Sequence, residues 1–441
     1  MHREMIFGMD NALLTVLRMH NPWLDQPAEQ TRLLQERLPS PFLPRRARLE
    51  LKPGRAEVVV GPRQAGKSTW ISHNLAGLQD PVLILHAEEH RIREIAASPA
   101  VALNVLAEVM HEATILFLEE VQHLSEASLF IKSLIDLDRK RRIVATGSAS
   151  FALQSRTRES LAGRGRRTLL LPFSLREVEG TLPAGLSVAI RNRRLEELWE
   201  RILITGGYPE VWFESNQSEI LRYLVEAFVL KDVTDLHTVE QPAAFRKLLE
   251  LAAADIGNLV NLSEWASMAQ VSRTTAGRYL EIAEQAHILR LIPPFVGGRR
   301  AEVTGRPKVF FVDNGLRNAV FGGFETSSRR ADRGQVWENA VFGELLKEKQ
   351  LLDQVFFWRS KNGAEVDFVV RRQDRLLALE VKAGALRRPK LSRSARSFIS
   401  AYRPDGFCVV NSALSCEDSV DGVPVRYCRP WELTSFLDES D

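Results

Sequence analysis

The sequence predicts an α/β fold: a parallel sheet wrapped by helices, then a helical region, a compact helix-turn-helix unit and a second α/β unit. Three observations carry this reading. Short β-rich runs alternate with helical segments from Glu57 onward, which is the pattern of βαβ units. Pro172 and Pro183 bracket a change to purely helical period, and strands return after Lys308.

The 441 residues exceed one ordinary core and suggest roughly three folded units. With 45% apolar and 26% charged residues the chain has the composition of a globular protein and not of a disordered one. A net charge of +3 gives no overall polyanion-binding character, so any nucleic-acid contact must come from local basic clusters. The cysteines Cys408, Cys416 and Cys428 lack C-x-x-C spacing, which argues against a metal ribbon or redox pair and fits a reducing cytoplasm. No uncharged apolar run approaches the ~18 residues of a membrane span, and Glu4 and Asp10 interrupt any leader pattern. A cytoplasmic protein without membrane partners is expected.

In chain order, residues 1–44 read as an N-terminal helical arm ending at Pro41 and Pro44, before the basic Arg45, Arg46 and Arg48. Residues 45–180 form the first α/β core, with strands expected at Glu57–Val60, Val82–Leu85, Thr114–Leu118, Ile143–Ala145 and Thr168–Leu171. Residues 181–245 read as a helical lid region, broken at Gly206-Gly207-Tyr208-Pro209. Residues 246–306 carry the helix-turn-helix pattern, and 307–441 the final α/β unit.

Gly61-Pro62-Arg63-Gln64-Ala65-Gly66-Lys67-Ser68 matches G-x-x-x-x-G-K-[ST] between a strand ending at Val60 and a helix through Trp70. The glycines let the backbone curl so that N–H groups face a β-phosphate, and the helix N-terminus adds its positive end. Lys67 then reaches the β/γ oxygens, Ser68 offers its hydroxyl to Mg²⁺, and Thr69 completes the cradle. ATP and Mg²⁺ are the expected cofactors. Thr114 to Glu120 is an apolar strand ending in two acids. Glu119 is expected to hold the Mg²⁺ shell, although Asp is usual there and Glu adds a methylene. Glu120 is expected to orient the attacking water. The strand at Ile143–Ala145 ends in Thr146-Gly147-Ser148, a place where Thr146 can contact the γ-phosphate or its water. Downstream, Leu161 to Arg167 holds arginines on a loop. Arg164 is the candidate finger for a neighbouring subunit in a homo-oligomer, and a solvated basic loop is the alternative.

GPRQAGKST, FLEEVQ, ATGS, LAGR, PFSLRE and GGYPEV, in that order over roughly residues 45–390, resemble prokaryotic AAA-like ATPases that carry a C-terminal domain of unknown function. The resemblance implies ATP binding by a P-loop NTPase sheet, then a helical region, a winged helix, and a last part similar to the PD-(D/E)XK nuclease superfamily. The Glu119 substitution departs from that pattern.

The residues themselves support both later units. Leu262 to Ala266 opens a helix, Ala269-Gln270-Val271 turns, and Ser272 can cap a second helix through Leu280. The strand Ile288–Ile292 and the Gly297-Gly298-Arg299-Arg300 hairpin would form a wing. In a DNA reader Arg273, Thr274 and Arg278 face the major groove while Arg299 and Arg300 meet phosphates; a packing or oligomerisation role stands beside that reading. In the last unit, Glu338 on a helix, Asp367 on one strand, and Glu380 and Lys382 on the next resemble the nuclease E…D…E-x-K set. Residues two apart on a strand share a face, so Glu380 and Lys382 project together and Asp367 meets them across the sheet. Glu338, Asp367 and Glu380 are the expected ligands of Mg²⁺ or Mn²⁺, Glu365 an additional one, and Lys382 the group that activates water. Arg387, Arg388, Lys390, Arg393 and Arg396 follow and can neutralise phosphates. The expected function is an ATPase whose nucleotide state controls a DNA-binding, nuclease-like module. The alternatives are a regulatory ATP-binding switch with a protein partner, or a DNA-binding regulator that does not cleave.

Overall fold

The computed structural model describes residues 11–110, 114–147, 163–227, 239–295, 297, 305–348 and 353–438. It divides into two compact units, Met1–Leu171 and Pro172–Asp441. The chain is α/β, as the alternation of periods predicts.

The first unit holds helices α1 (Asn11–His20) and α2 (Gln30–Glu36), then strand β1 (Arg55–Val60) and α3 (Lys67–Ala76). Next come β2 (Val82–His86), α4 (His90–Ala96), α5 (Pro99–Leu106), β3 (Ile115–Glu119), α6 (Ala127–Leu137), β4 (Arg142–Gly147) and β5 (Gly165–Leu169). The five strands are parallel in the order β2-β3-β4-β1-β5. The Val, Ile and Leu runs of β1 to β4 are buried on both faces, the expectation for a parallel sheet covered by helices. Because β4 lies between β1 and β3, the residue ending β4 sits between the loop after β1 and the acids after β3. The N-terminal segment closes the open edge of β2. Asn21 bonds both backbone groups of Ile84, at 2.7 and 2.9 Å, and Trp23 Nε1 donates to the Val82 carbonyl at 2.7 Å. Gln30 Oε1 accepts from the Val82 N–H at 2.9 Å. Each such buried bond contributes roughly 1 kcal/mol, and together they leave no free edge to template another strand there.

The second unit begins with α7 (Leu175–Glu179), α8 (Val188–Thr205), α9 (Pro209–Phe213), α10 (Gln217–Ala227), α11 (Pro242–Ala254), α12 (Leu262–Met268) and α13 (Arg273–Gln285). The hairpin of β6 (Leu289–Ile292) and β7 (Lys308–Phe311) follows, with α14 (Asn314–Phe321) and α15 (Arg333–Lys347). Then come β8 (Gln354–Arg359), β9 (Glu365–Arg372), β10 (Arg375–Lys382), α16 (Arg393–Tyr402), β11 (Gly406–Asn411), β12 (Cys416–Val420), β13 (Val423–Cys428) and α17 (Leu433–Asp438). The six strands β8 to β13 form a mixed sheet ordered β12-β13-β11-β10-β9-β8. The break at Gly206-Gly207 has a packing cause. A Cβ on Gly206 would lie 1.9 Å from Asp313 Oδ1 and one on Gly207 2.3 Å from the Phe173 carbonyl, while the Gly207 N–H donates to Asp313 Oδ2 at 2.8 Å. The Ser272 cap forms as expected, its hydroxyl accepting from the Thr275 N–H at 3.0 Å. Gly298, Arg299 and Arg300 of the expected wing lie outside the described residues, as do Ser148 and the first ten residues.

Candidate functional site

The loop after β1 wraps the start of α3. Gly66 holds the left-handed conformation (φ 85°, ψ 26°) that only glycine adopts at little cost, and it caps the helix that Lys67 begins. Gln64 shares that conformation at φ 57° without being glycine. Gly61, Pro62 and Ala65 are buried, Arg63 is exposed, and Gln64, Gly66, Ser68 and Thr69 are partly exposed. Lys67 is 8% exposed, and its Nζ donates to the carbonyls of Pro62 and Gly61 at 2.9 and 3.2 Å. The ammonium is thus poised inside the curl of the loop, where a phosphate would exchange with the carbonyls.

The acids expected at the end of β3 meet this loop. The Ser68 hydroxyl hydrogen-bonds the Glu119 carboxylate, and His86 Nδ1 lies 3.0 Å from Glu119 Oε2. Burial pushes the Glu119 carboxyl up, but the bonds from His86 and Ser68 and the nearby His20 outweigh it and hold it below the usual range. Glu119 is therefore a carboxylate joined to the P-loop serine, a donor set that fits a hard cation. The extra methylene of Glu in place of Asp is accommodated because His86, opposite it on β2, holds the longer arm. His20 stacks on His86 with ring centroids 4.0 Å apart, and His20 Nε2 lies 3.1 Å from Glu89 Oε1. Sequence reasoning did not find His86. Its only signal is its place at the C-terminal end of the strand beside β3.

Glu120 takes a left-handed conformation (φ 54°, ψ 47°), and its N–H donates to Thr146 Oγ1 at 2.9 Å. Thr146 is fully buried, so it fixes the backbone of Glu120 instead of standing open at the loop. Arg164 lies at the other end of the sheet. Its carbonyl accepts from the Ala56 N–H at the start of β1, and its Nε pairs with Asp136 at 2.8 Å. The length of β1, about 15 Å at ~3.3 Å per residue, separates it from its own P-loop. Within one chain it does not reach that loop, and its partner in the fold is Asp136.

In the second unit, Glu365 and Asp367 lie on β9, Glu380 and Lys382 on β10, and Glu338 on α15. The Val381 N–H donates to Asp367 Oδ2 at 2.7 Å, and Lys382 Nζ pairs with Glu380 Oε1 at 2.7 Å. A further residue joins them. Lys308 of β7, 2% exposed, places its Nζ 3.2 Å from Glu338 Oε1 and in contact with Glu365 Oε1. Burial opposes its charge, but Glu338, Glu365 and Asp367 raise its pKa overall. Burial, then Asp367, pushes Glu338 up to about 8, and burial pushes Asp367 up to about 6. Among the described residues no three His, Cys, Asp or Glu side chains are placed to hold one metal ion. Glu338 pairs with Lys308, Asp367 accepts from the Val381 N–H, and Glu380 pairs with Lys382, so each expected ligand already has a partner within the chain. No motif around Lys308 signalled its part.

Arg273, Thr274 and Arg278 are exposed on α13, and Arg387, Arg388, Lys390, Arg393 and Arg396 are exposed after β10. Among the described residues no helix is long and apolar enough to cross a membrane.

Comparison with known proteins places three families on the chain. Residues 54–179 match the family described as AAA domain, residues 196–327 a domain of unknown function (DUF8612), and residues 333–427 a domain of unknown function (DUF4143). An uncharacterized protein of Mycobacterium tuberculosis is 28% identical over 359 residues, covering 80% of this chain and 75% of its own. An uncharacterized protein of Methanocaldococcus jannaschii is 24% identical over 335 residues, 73% of each chain. One from Haemophilus influenzae is 22% identical over 393 residues, 86% of this chain and 94% of its own. Among solved structures, a Thermotoga maritima RuvB mutant is 18% identical with a TM-score of 0.28, covering 54% of this chain and 83% of its own. The replication initiator DnaA bound to AMPPCP and single-stranded DNA is 14% identical with a TM-score of 0.24, covering 59% and 88%. Scores this low leave the matched family and the loop geometry as the grounds for reading residues 54–179 as an AAA-type P-loop ATPase domain.

Proposed function

We propose that the chain is a Mg²⁺-dependent ATPase in which the P-loop from Gly61 to Thr69 binds ATP. In this reading Ser68 and Glu119 hold the metal, Glu120 orients the attacking water and Thr146 fixes Glu120. The observation that carries it is the hydrogen bond between Ser68 and Glu119, which joins the two halves of a Mg²⁺ site. Bound Mg²⁺ would neutralise charge on the β- and γ-phosphates. Lys67→Ala should abolish measurable ATP binding, and Glu120→Gln should bind ATP while turnover falls at least about 100-fold. Wild-type turnover in both variants would refute the assignment. Arg164 belongs to this reading as a residue supplied to a neighbouring copy in a homo-oligomer.

For the second unit we propose a nucleic-acid platform with a winged-helix reader, in which the nuclease-like acids do not cleave. The placement of Lys308 among those acids favours this over a metal-dependent nuclease. Exposed Arg273, Thr274 and Arg278 would contact DNA, and the basic run from Arg387 to Arg396 its phosphates. Salt-sensitive DNA binding without Mg²⁺- or Mn²⁺-dependent cleavage is the expected result; cleavage lost in Asp367→Asn would restore the nuclease reading.

A further inference from the structure

We infer that Lys308 is the built-in cation of the acidic centre in the second unit, standing where a nuclease-like site would carry its divalent metal. The inference rests on the non-cleaving reading above. The resemblance to PD-(D/E)XK nucleases implies a metal, and the residues present do not fit one. A metal needs several oxygens converging on an open point, whereas here an ammonium stands between the Glu338 and Glu365 carboxylates. Lys308 Nζ lies 3.2 Å from Glu338 Oε1 and contacts Glu365 Oε1, and its charge acts on Asp367. The lysine reaches this position from β7, which packs beside α15, and is 2% exposed, so it is not a solvated side chain that swings in by chance. The Phe357 ring, 5.5 Å from Nζ, flanks the ammonium. An ammonium meets the same electrostatic need as a divalent cation, to neutralise crowded carboxylates, but it supplies no empty coordination position and activates no water. Glu380 has its own cation: one of its oxygens pairs with Lys382 at 2.7 Å.

The test uses the full chain with Ser68→Ala, which silences the P-loop metal, at pH 8 without nucleotide. This background should retain no Mn²⁺ through gel filtration. Adding Lys308→Met should create one Mn²⁺ site, seen by electron paramagnetic resonance, and adding Asp367→Asn should abolish it. Lys308→Met should also melt about 10 °C lower, because an uncompensated buried charge cluster remains. Mn²⁺ or Asp367→Asn should restore most of that loss, whereas Lys308→Arg should melt near the background and bind no Mn²⁺. A background that already holds Asp367-dependent Mn²⁺ overturns the inference. So does a Lys308→Met protein that gains no Mn²⁺ site, or one that stays unfolded with both Mn²⁺ and Asp367→Asn. The reading it rests on fails separately, by metal-dependent DNA cleavage in the wild type.

Discussion

His86→Phe tests how a glutamate serves where an aspartate is usual. Phenylalanine keeps the ring volume and the stack on His20, whose centroid is 4.0 Å away, but removes the donor 3.0 Å from Glu119 Oε2. Glu119 is 15% exposed, so water replaces that donor poorly. A hydrogen bond to a charged group contributes about 1.5–3 kcal/mol, which is roughly a 10- to 100-fold change in an equilibrium constant. Because the bond orients the carboxylate proposed to hold Mg²⁺, the loss should appear in the cation requirement, as it does for residues that support metal ligands. ATP turnover measured against Mg²⁺ concentration should show a half-maximal Mg²⁺ requirement raised about 10- to 100-fold, with the rate at saturating Mg²⁺ within about threefold of wild type. His86→Asn, which retains a donor, should recover part of the shift. A folded His86→Phe protein with the wild-type Mg²⁺ requirement would refute the role assigned to His86.

Thr146→Val should leave the part-buried Glu120 N–H without its acceptor, destabilising the fold by about 0.5–1.5 kcal/mol and lowering turnover while ATP still binds; urea unfolding and equilibrium ATP titration measure the two effects. Gly206→Ala drives a methyl into Asp313 and should cost about 2–4 kcal/mol in the same unfolding assay. The acidic centre predicts a pH effect. Folded Glu338 and Asp367, at about 8 and about 6, bind protons more tightly than their ordinary 4.5 and 3.8, so stability should fall as pH rises from about 4 to about 8. Glu338→Gln should flatten the upper part of that slope, and melting curves at pH 5.5, 7 and 8.5 would show it. Arg387→Ala with Arg388→Ala should weaken DNA binding and lessen its salt dependence, since each removes one phosphate-reaching cation; unchanged affinity across salt would move the interface elsewhere.

Much of the P-loop was legible in the sequence because its chemistry is local. Eight consecutive residues contain the glycine that needs a left-handed backbone, the lysine that fills the curl and the serine that opens the helix. The strands of the first sheet and the Ser272 cap were likewise set by residues within a few positions of each other. The two-residue spacing of Glu380 and Lys382 correctly put both on one face. Strand order was not local. That β4 inserts between β1 and β3, and so turns Thr146 into the anchor of Glu120, depends on packing among distant segments. Spacing along the chain also gave no distance across the sheet: only the fold shows that the whole length of β1 separates Arg164 from the P-loop of its own chain. His86 and Lys308 were decided only by tertiary structure. Each meets its carboxylates across a long stretch of chain, through strand register in one case and the packing of β7 beside α15 in the other. A linear pattern shows which residues can carry charge; only the folded register shows which charge answers which.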